Sequence, residues 1–99
     1  MNSSDNIKTF EQHLEERYGK IGTEERVEFE IKAKSFAIGE LIKEERKLAR
    51  LTQEELAQKI GAKKSFISRI ENGHSDIQLS TLYRLIEIGF GRKVNLVIE

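Results

Sequence analysis

The chain has no cysteine, no proline and no tryptophan among its 99 residues. Without cysteine it can form neither a disulfide framework nor a thiolate metal site, which is typical of a reducing compartment. Without proline, nothing forbids long helices. No apolar run approaches the ~18 residues of a membrane span, and residues 1–6 lack the basic and apolar regions of a signal peptide. We therefore expect a cytoplasmic protein.

The charges balance over the whole chain but not over its parts. Seventeen basic and 17 acidic side chains give a formal net charge of zero. Residues 1–34 carry six basic and eight acidic residues, whereas residues 35–99 carry eleven basic and nine acidic. The second part is the better candidate for a polyanion such as DNA, which needs cations against its phosphates. Because its excess is only +2, we expect binding as a dimer.

Residues 52–73 predict two short helices joined by a tight turn. Thr52 and Glu55 have the spacing of a capping box at the start of the first helix. Two helices that cross at about 90–120° need a small residue at their contact, a glycine in the bend and branched residues inside the angle. The residues at those positions are Ala57, Gly61, Ile67 and Ile70.

The second of these helices would present a face rich in hydrogen-bond donors. Such donors can bind phosphates or the edges of bases. An ordinary pair of core helices with a polar outer face is the alternative, and the joint match of the four positions above favours DNA binding. The outward residues are Lys63, Lys64, Ser65, Ser68 and Arg69.

Two amphipathic segments precede this pair. Residues 7–19 predict a helix with one apolar stripe. Thr23 then caps a helix that runs to about Arg50, either unbroken or with a break near Ser35. The cations near its end either lie beside a phosphate backbone or pair with neighbouring glutamates at i,i+4 spacing. The stripe residues are Ile7, Phe10, Leu14 and Tyr18, and the cations are Lys43, Arg46, Lys47 and Arg50.

The C-terminal part predicts a closing helix and a strand. The helix spans 79–88, and the strand follows from a change of period over 93–98, where Val94, Leu96 and Ile98 alternate with Lys93, Asn95 and Val97. A lone strand leaves its backbone groups unpaired, and pairing with the same strand of a second copy would satisfy them. A frayed tail is the alternative. The core-facing helix residues are Leu79, Leu82, Leu85 and Ile86, and the dimerisation residues are Val94, Leu96 and Ile98.

The sequence T-Q-E-E-L-A-x-K-I-G followed by S-x-I-S-R-I-E-N-G resembles the Xre/Cro-type helix-turn-helix family, to which the lambdoid phage repressors belong. The resemblance covers about residues 36–90. It implies a mainly α fold, a lambda-repressor-like helical bundle, here with an N-terminal helical extension and a C-terminal dimerisation strand. It also implies a dimer that reads a palindromic operator with two recognition helices about 34 Å apart.

The same resemblance implies residue roles. Gln53 would contact a phosphate, Asn72 would touch the DNA backbone, and three residues would read base edges, namely Lys64, Ser65 and Arg69. We add Lys63 as a phosphate contact from its position. Phe66 stands where a small or polar residue is common; it either contacts a thymine methyl or folds back into the core, and the core is the favoured position.

The whole chain is similar to HigA-type antitoxins of type II toxin–antitoxin modules. That similarity implies a toxin-binding arm at 1–34, the DNA-binding domain at 35–91 and a dimerisation strand at 92–99. The partner would be a RelE/HigB-like toxin that cleaves mRNA. Phe10, Leu14 and Tyr18 would be the residues that bind it. The protein would neutralise this toxin and repress its own operon. Packing of the arm on its own domain or on the dimer mate is equally open, and a stand-alone repressor without a toxin is the alternative function.

Catalysis is the least supported class of function. The two histidines, His13 and His74, have neither a metal-ligand spacing nor triad-like neighbours. No glycine-rich phosphate-binding loop is present. We therefore expect neither an enzyme nor a bound metal or cofactor.

Overall fold

The computed structural model describes residues 9–74 and 76–99, and over these residues the regular structure is entirely helical. The chain divides into two compact units, unit 1 (Met1–Ala33) and unit 2 (Lys34–Glu99). The helices are α1 (Phe10–Tyr18), α2 (Glu24–Leu48), α3 (Gln53–Ile60), α4 (Lys64–Glu71) and α5 (Leu79–Tyr83), which a π-helical turn (Arg84–Gly89) follows directly. The predicted mainly α fold is confirmed. No helix of the described residues is long and apolar enough to cross a membrane.

The first element that the structure describes in unit 1 is a capped helix. The Thr9 hydroxyl accepts a hydrogen bond from the Gln12 amide at 3.1 Å, and the Gln12 side chain accepts one from the Thr9 amide at 3.0 Å. This reciprocal cap sets the start of α1 at Phe10. Of the predicted stripe, Leu14 is buried and Tyr18 stacks on Phe29 with ring centroids 3.9 Å apart. Phe10 is 76% exposed, and Ile7 lies outside the described residues.

A buried arginine ties the two helical segments of unit 1 together. The Arg26 side chain is only 3% exposed and forms an ion pair with Glu11 of α1. It also donates to the Gly19 carbonyl at 3.4 Å, and its Nε lies 3.4 Å from a Glu30 carboxylate oxygen. Because a buried cation is costly without a counter-charge, these contacts fix how α1 lies against the start of α2.

Helix α2 is continuous, so the unbroken alternative is confirmed and the break near Ser35 is wrong. The Thr23 hydroxyl accepts a hydrogen bond from the Arg26 amide at 3.3 Å, as expected of a helix cap. The helix ends in a tight turn at Arg50, which adopts a left-handed conformation with φ of 59°. The amide of Arg50 donates to the Lys47 carbonyl and that of Leu51 to the Arg46 carbonyl, which is the Schellman pattern.

The core of unit 2 lies where α2, α3, α4 and the π-helical turn meet. Branched and small side chains from all four are withdrawn from solvent, and burial of each large one stabilises the fold by about 1.5–3 kcal/mol. Partly buried residues, among them Leu82 and Ile86, pack around them. The buried core residues are Ile42, Leu56, Ala57, Ile60, Ile67, Ile70 and Leu85.

The closing segment differs from the predicted helix in two ways. Leu79 does not face the core but is 57% exposed, since it is the first residue of α5. Beyond Tyr83 the backbone continues as a π-helical turn, which ends with the Phe90 amide bonded to the Leu85 carbonyl at 3.1 Å. Gly89 allows this turn to pack on α3, because a Cβ there would lie 2.6 Å from the Leu56 side chain.

The predicted C-terminal strand is not supported: none of the described residues, the tail included, adopts strand structure. A strand exists only when a neighbouring strand accepts and donates its backbone hydrogen bonds, and this all-helical chain supplies no such neighbour. Of the apolar residues assigned to it, Val94 is half-buried, whereas Leu96 and Ile98 are largely exposed.

Helix α2 passes unusually close to the end of α4 at Gly39. A Cβ built on Gly39 would lie 2.4 Å from the Ile70 carbonyl oxygen and 2.9 Å from that of Glu71. These are backbone atoms, so no side chain can rotate out of the way. Only glycine permits this approach.

We expect Gly39→Ala to destabilise the protein by about 1–3 kcal/mol, the usual cost of overpacking a close contact. The direction of the change in unfolding free energy is informative, because replacing glycine by alanine in a helix interior normally stabilises the helix by about 1 kcal/mol. Urea unfolding of the full chain measures it. The control is Ala37→Gly at an exposed position of the same helix, which reports helix propensity alone. A Gly39→Ala variant more stable than the parent would contradict the close packing.

Candidate nucleic-acid interface

The helix pair α3 and α4 forms as the sequence predicted. The Thr52 hydroxyl accepts a hydrogen bond from the Glu55 amide at 3.0 Å, and the Glu55 carboxylate accepts one from the Thr52 amide at 2.9 Å. The backbone hydrogen bond from Thr52 lowers the pKa of Glu55. Gly61 ends α3 in the left-handed conformation with φ of 72°, at almost no steric cost for glycine.

The far end of α4 is held by a buried ion pair. The Arg46 guanidinium donates to both carboxylate oxygens of Glu71, at 2.6 and 3.0 Å. The Glu71 and Arg46 side chains are only 2% and 12% exposed. The hydrogen bonds and charge of Glu71 raise the pKa of Arg46, outweighing the opposite effect of burial. Neither predicted environment of Arg46, a phosphate backbone or a neighbouring glutamate of α2, is correct.

Two further hydrogen bonds extend this ion pair to α3. Arg46 also donates to the Leu51 carbonyl at 2.9 Å, in the turn before α3. The Gln53 side-chain amide donates to Glu71 at 3.0 Å. Glu71 thus receives three donors from two side chains, as a buried carboxylate requires. Gln53, predicted to contact a phosphate, lies half-buried at the start of α3 with its amide directed to Glu71.

The remaining predicted DNA-binding residues all lie on or next to α4. Lys63 is its N-cap, Lys64 and Ser65 form its first turn, and all three are exposed. Arg69 is exposed and Ser68 is half-buried. Asn72 caps the end of the helix, where its side-chain amide donates to the Ser68 hydroxyl at 3.5 Å. The first turn of α4 therefore carries two lysines at the helix N-terminus, where backbone N–H groups also favour anions.

An open depression lies beside the first turn of α4. It brings together three of the predicted residues, Lys63, Ser65 and Arg69, and does not include Lys64. Its apolar lining comes from Ala62 and Phe66. The favoured placement of Phe66 in the core is wrong: its side chain is 36% exposed, and the core is closed by Ile67 and Ile70 instead.

Sequence reasoning missed Arg46, Glu71 and Gly39 as the residues that position α4. A signal for the ion pair existed. Glu71 follows Ile67 by four residues and Arg46 follows Ile42 by four, so each charge lies on the apolar face of its helix. A charge on a core-facing stripe demands a buried partner. Gly39 carried no comparable signal, since nothing nearby in sequence shows which backbone approaches it.

The residues predicted to bind a toxin lie in unit 1 and differ in accessibility. Leu14 is buried and Tyr18 is half-buried against Phe29, so both pack within their own unit. Only Phe10 presents most of its side chain to solvent. A role of these three in binding a partner stays a prediction.

Comparison with known families decides what unit 2 contains. A family model described as helix-turn-helix matches residues 42–88. Residues 42–88 are an Xre-like helix-turn-helix domain. The match begins within α2 and ends in the π-helical turn, so it includes α3, α4 and both partners of the Arg46–Glu71 pair. A domain of this kind indicates a DNA-binding transcriptional regulator. Comparison with curated protein sequences gives no match.

We expect Glu71→Gln to destabilise the full chain by about 3–5 kcal/mol, because it leaves the Arg46 cation buried without a counter-charge. Replacing both partners, as in Arg46→Met with Glu71→Gln, should recover part of this loss. Glu45→Gln serves as the control, since it breaks the more exposed ion pair with Arg92 and should cost under about 1 kcal/mol. Urea unfolding midpoints measure all three variants. Equal effects of Glu71→Gln and Glu45→Gln would contradict the structural role of the pair.

Proposed function

We propose that the protein is a sequence-specific transcriptional repressor that inserts the first turn of α4 into the major groove of its operator. The observation that carries this proposal is the arrangement of α4 within the helix-turn-helix domain. The helix is fixed at one end by the Gly61 turn and at the other by Glu71. Its first turn is exposed to solvent and carries Lys63, Lys64 and Ser65, the residue types that contact phosphates and base edges.

The repressor binds as a homodimer in this proposal. One recognition helix reads too few base pairs for high affinity, and two-fold symmetry lets a second copy read the other half of a palindrome. The modest positive charge of residues 35–99 supports a dimer, because two copies double the number of phosphate contacts. The exposed Leu96 and Ile98 of the tail are apolar surface that a second copy would bury.

The proposal further assigns the protein to the antitoxins of type II toxin–antitoxin modules, with a RelE/HigB-like toxin as its partner. Its support is the resemblance of the whole chain to HigA-type antitoxins, together with a separate unit 1 that the helix-turn-helix match does not reach. Residues 9–33 carry seven acidic and four basic side chains, so unit 1 suits a basic partner. Phe10 is the most exposed of the large apolar side chains that the structure describes in unit 1, and aromatic residues are common anchors of interfaces.

Two variants, Arg69→Ala and Lys63→Ala, distinguish a contact to a base edge from a contact to a phosphate. Arg69→Ala should reduce discrimination at one base position by about 1–3 kcal/mol if Arg69 binds a guanine edge. Lys63→Ala should instead weaken binding to all sequences and flatten the log–log salt dependence by about one unit per half-site. Binding titrations of the full chain with its upstream DNA, at several salt concentrations, measure both. If Arg69→Ala instead weakens binding equally on all sequences, Arg69 is only a phosphate contact. An unchanged slope in Lys63→Ala would remove Lys63 from the interface.

The toxin partner is tested by co-expressing the full chain with the product of the neighbouring gene. We expect a small basic protein to co-purify, and we expect Phe10→Ala to weaken the complex about tenfold or more, as loss of an aromatic anchor does. Leu48→Ala is the control, because Leu48 is equally exposed but lies in unit 2. Repression of the upstream promoter without any co-purifying protein would favour the stand-alone repressor.

A further inference from the structure

The depression on α4 is a part of the recognition helix that phosphate contacts and charged base readers leave unexplained. Phe66 follows Lys63 by one helical turn and precedes Arg69 by another, so it lies on the same side of α4 as both cations. Ala62, in the turn before α4, completes the apolar lining. An apolar surface therefore lies within the row of side chains proposed to face DNA.

Phe66 is not one of the side chains that form the buried core. Ile67 and Ile70 close the core from α4 with at most 1% of their surface exposed, whereas Phe66 remains 36% exposed. An aromatic ring in water loses the stabilisation that burial would give it. Its apolar surface is therefore available to a ligand that brings an apolar group of its own.

Only one such group is presented to proteins in the major groove, namely the 5-methyl group of a pyrimidine. Thymine carries it beside its O4 acceptor, and phenylalanine and alanine side chains are suited to contact it. We infer that Phe66 and Ala62 receive this methyl group, from thymine or 5-methylcytosine, once in each half-site of the operator. This inference rests on the proposed sequence-specific DNA binding.

Helix geometry places this contact next to that of Arg69. Three residues of an α-helix rise by about 4.5 Å, and successive base pairs are about 3.4 Å apart. Phe66 and Arg69 would therefore contact neighbouring base pairs. Phe66 would contact a methyl group, and Arg69 would contact hydrogen-bond acceptors. The half-site should contain a methylated pyrimidine close to the base pair that Arg69 reads.

The experiment uses the full chain and the duplex that it selects from a randomised DNA library. Each thymine of that duplex is replaced singly by deoxyuridine, which removes the methyl group and nothing else. We expect one thymine per half-site at which uracil lowers the affinity about fourfold, the value for burying one methyl-sized group. The Phe66→Ala protein should bind the thymine and uracil duplexes equally well.

Control variants and control bases distinguish loss of the methyl contact from a general loss of folding or DNA binding. Phe36→Ala makes the same substitution at an exposed phenylalanine of α2 and should keep the fourfold preference. Phe66→Leu retains an apolar side chain and should keep a smaller preference, which secures the test even if the alanine variant unfolds. Cytosine and 5-methylcytosine at the same position show whether the methyl group is recognised on either pyrimidine.

The outcomes distinguish this inference from the function on which it rests. A defined selected duplex with no uracil-sensitive thymine would overturn the inference and leave sequence-specific binding intact. The same holds if either Phe66 variant shows the full parental preference. If the protein enriches no sequence at all, the proposed function and this inference both fail.

Discussion

The Arg46–Glu71 ion pair is the constraint on which the presentation of α4 depends. It joins the last turns of α2 to the end of α4, and through Gln53 it reaches the first residue of α3. Two opposite charges withdrawn from water stabilise a fold only if their geometry is satisfied. The pair therefore penalises any arrangement in which α4 slides or rotates against α2. Hydrophobic burial holds the helices together, and this pair selects one orientation among the packings that burial alone would allow.

Two glycines near the ion pair also help to position α4. Gly39 lets the α2 backbone approach the carbonyl groups at the end of α4, and Gly61 lets the chain turn sharply before α4 begins. Between these two points the helix buries Ile67 and Ile70 and leaves its first turn free. The proposed role of α4 as a recognition helix needs this division, because such a helix must be rigidly supported and exposed at the residues that would contact bases.

What could be predicted from sequence is what local chemistry determines. The capping box of Thr52 and Glu55 and the glycine at residue 61 act over three or four positions, so the helix pair could be located from its residues alone. The partner of Arg46 is 25 residues distant, so local spacing cannot identify it, although a charge on an apolar stripe indicates that a buried partner exists. For the tail, the alternation from Lys93 to Ile98 predicts a strand, and the described part of this single chain supplies no neighbouring strand for it. Residue type alone predicts Phe66 in the core, whereas Ile67 and Ile70 already fill that space.

The short span of sequence that builds the core of unit 2 has a consequence for how the chain folds. Every fully buried core side chain that the structure describes in this unit lies between Ile42 and Leu85, and α3 packs on α4, the next helix in the chain. Loops this short cost little entropy to close, and helical domains of low contact order fold on the microsecond-to-millisecond scale. During synthesis the domain can be completed only once Leu85 has left the ribosome. The capped α1 segment is by then already outside, free to find its own contacts first.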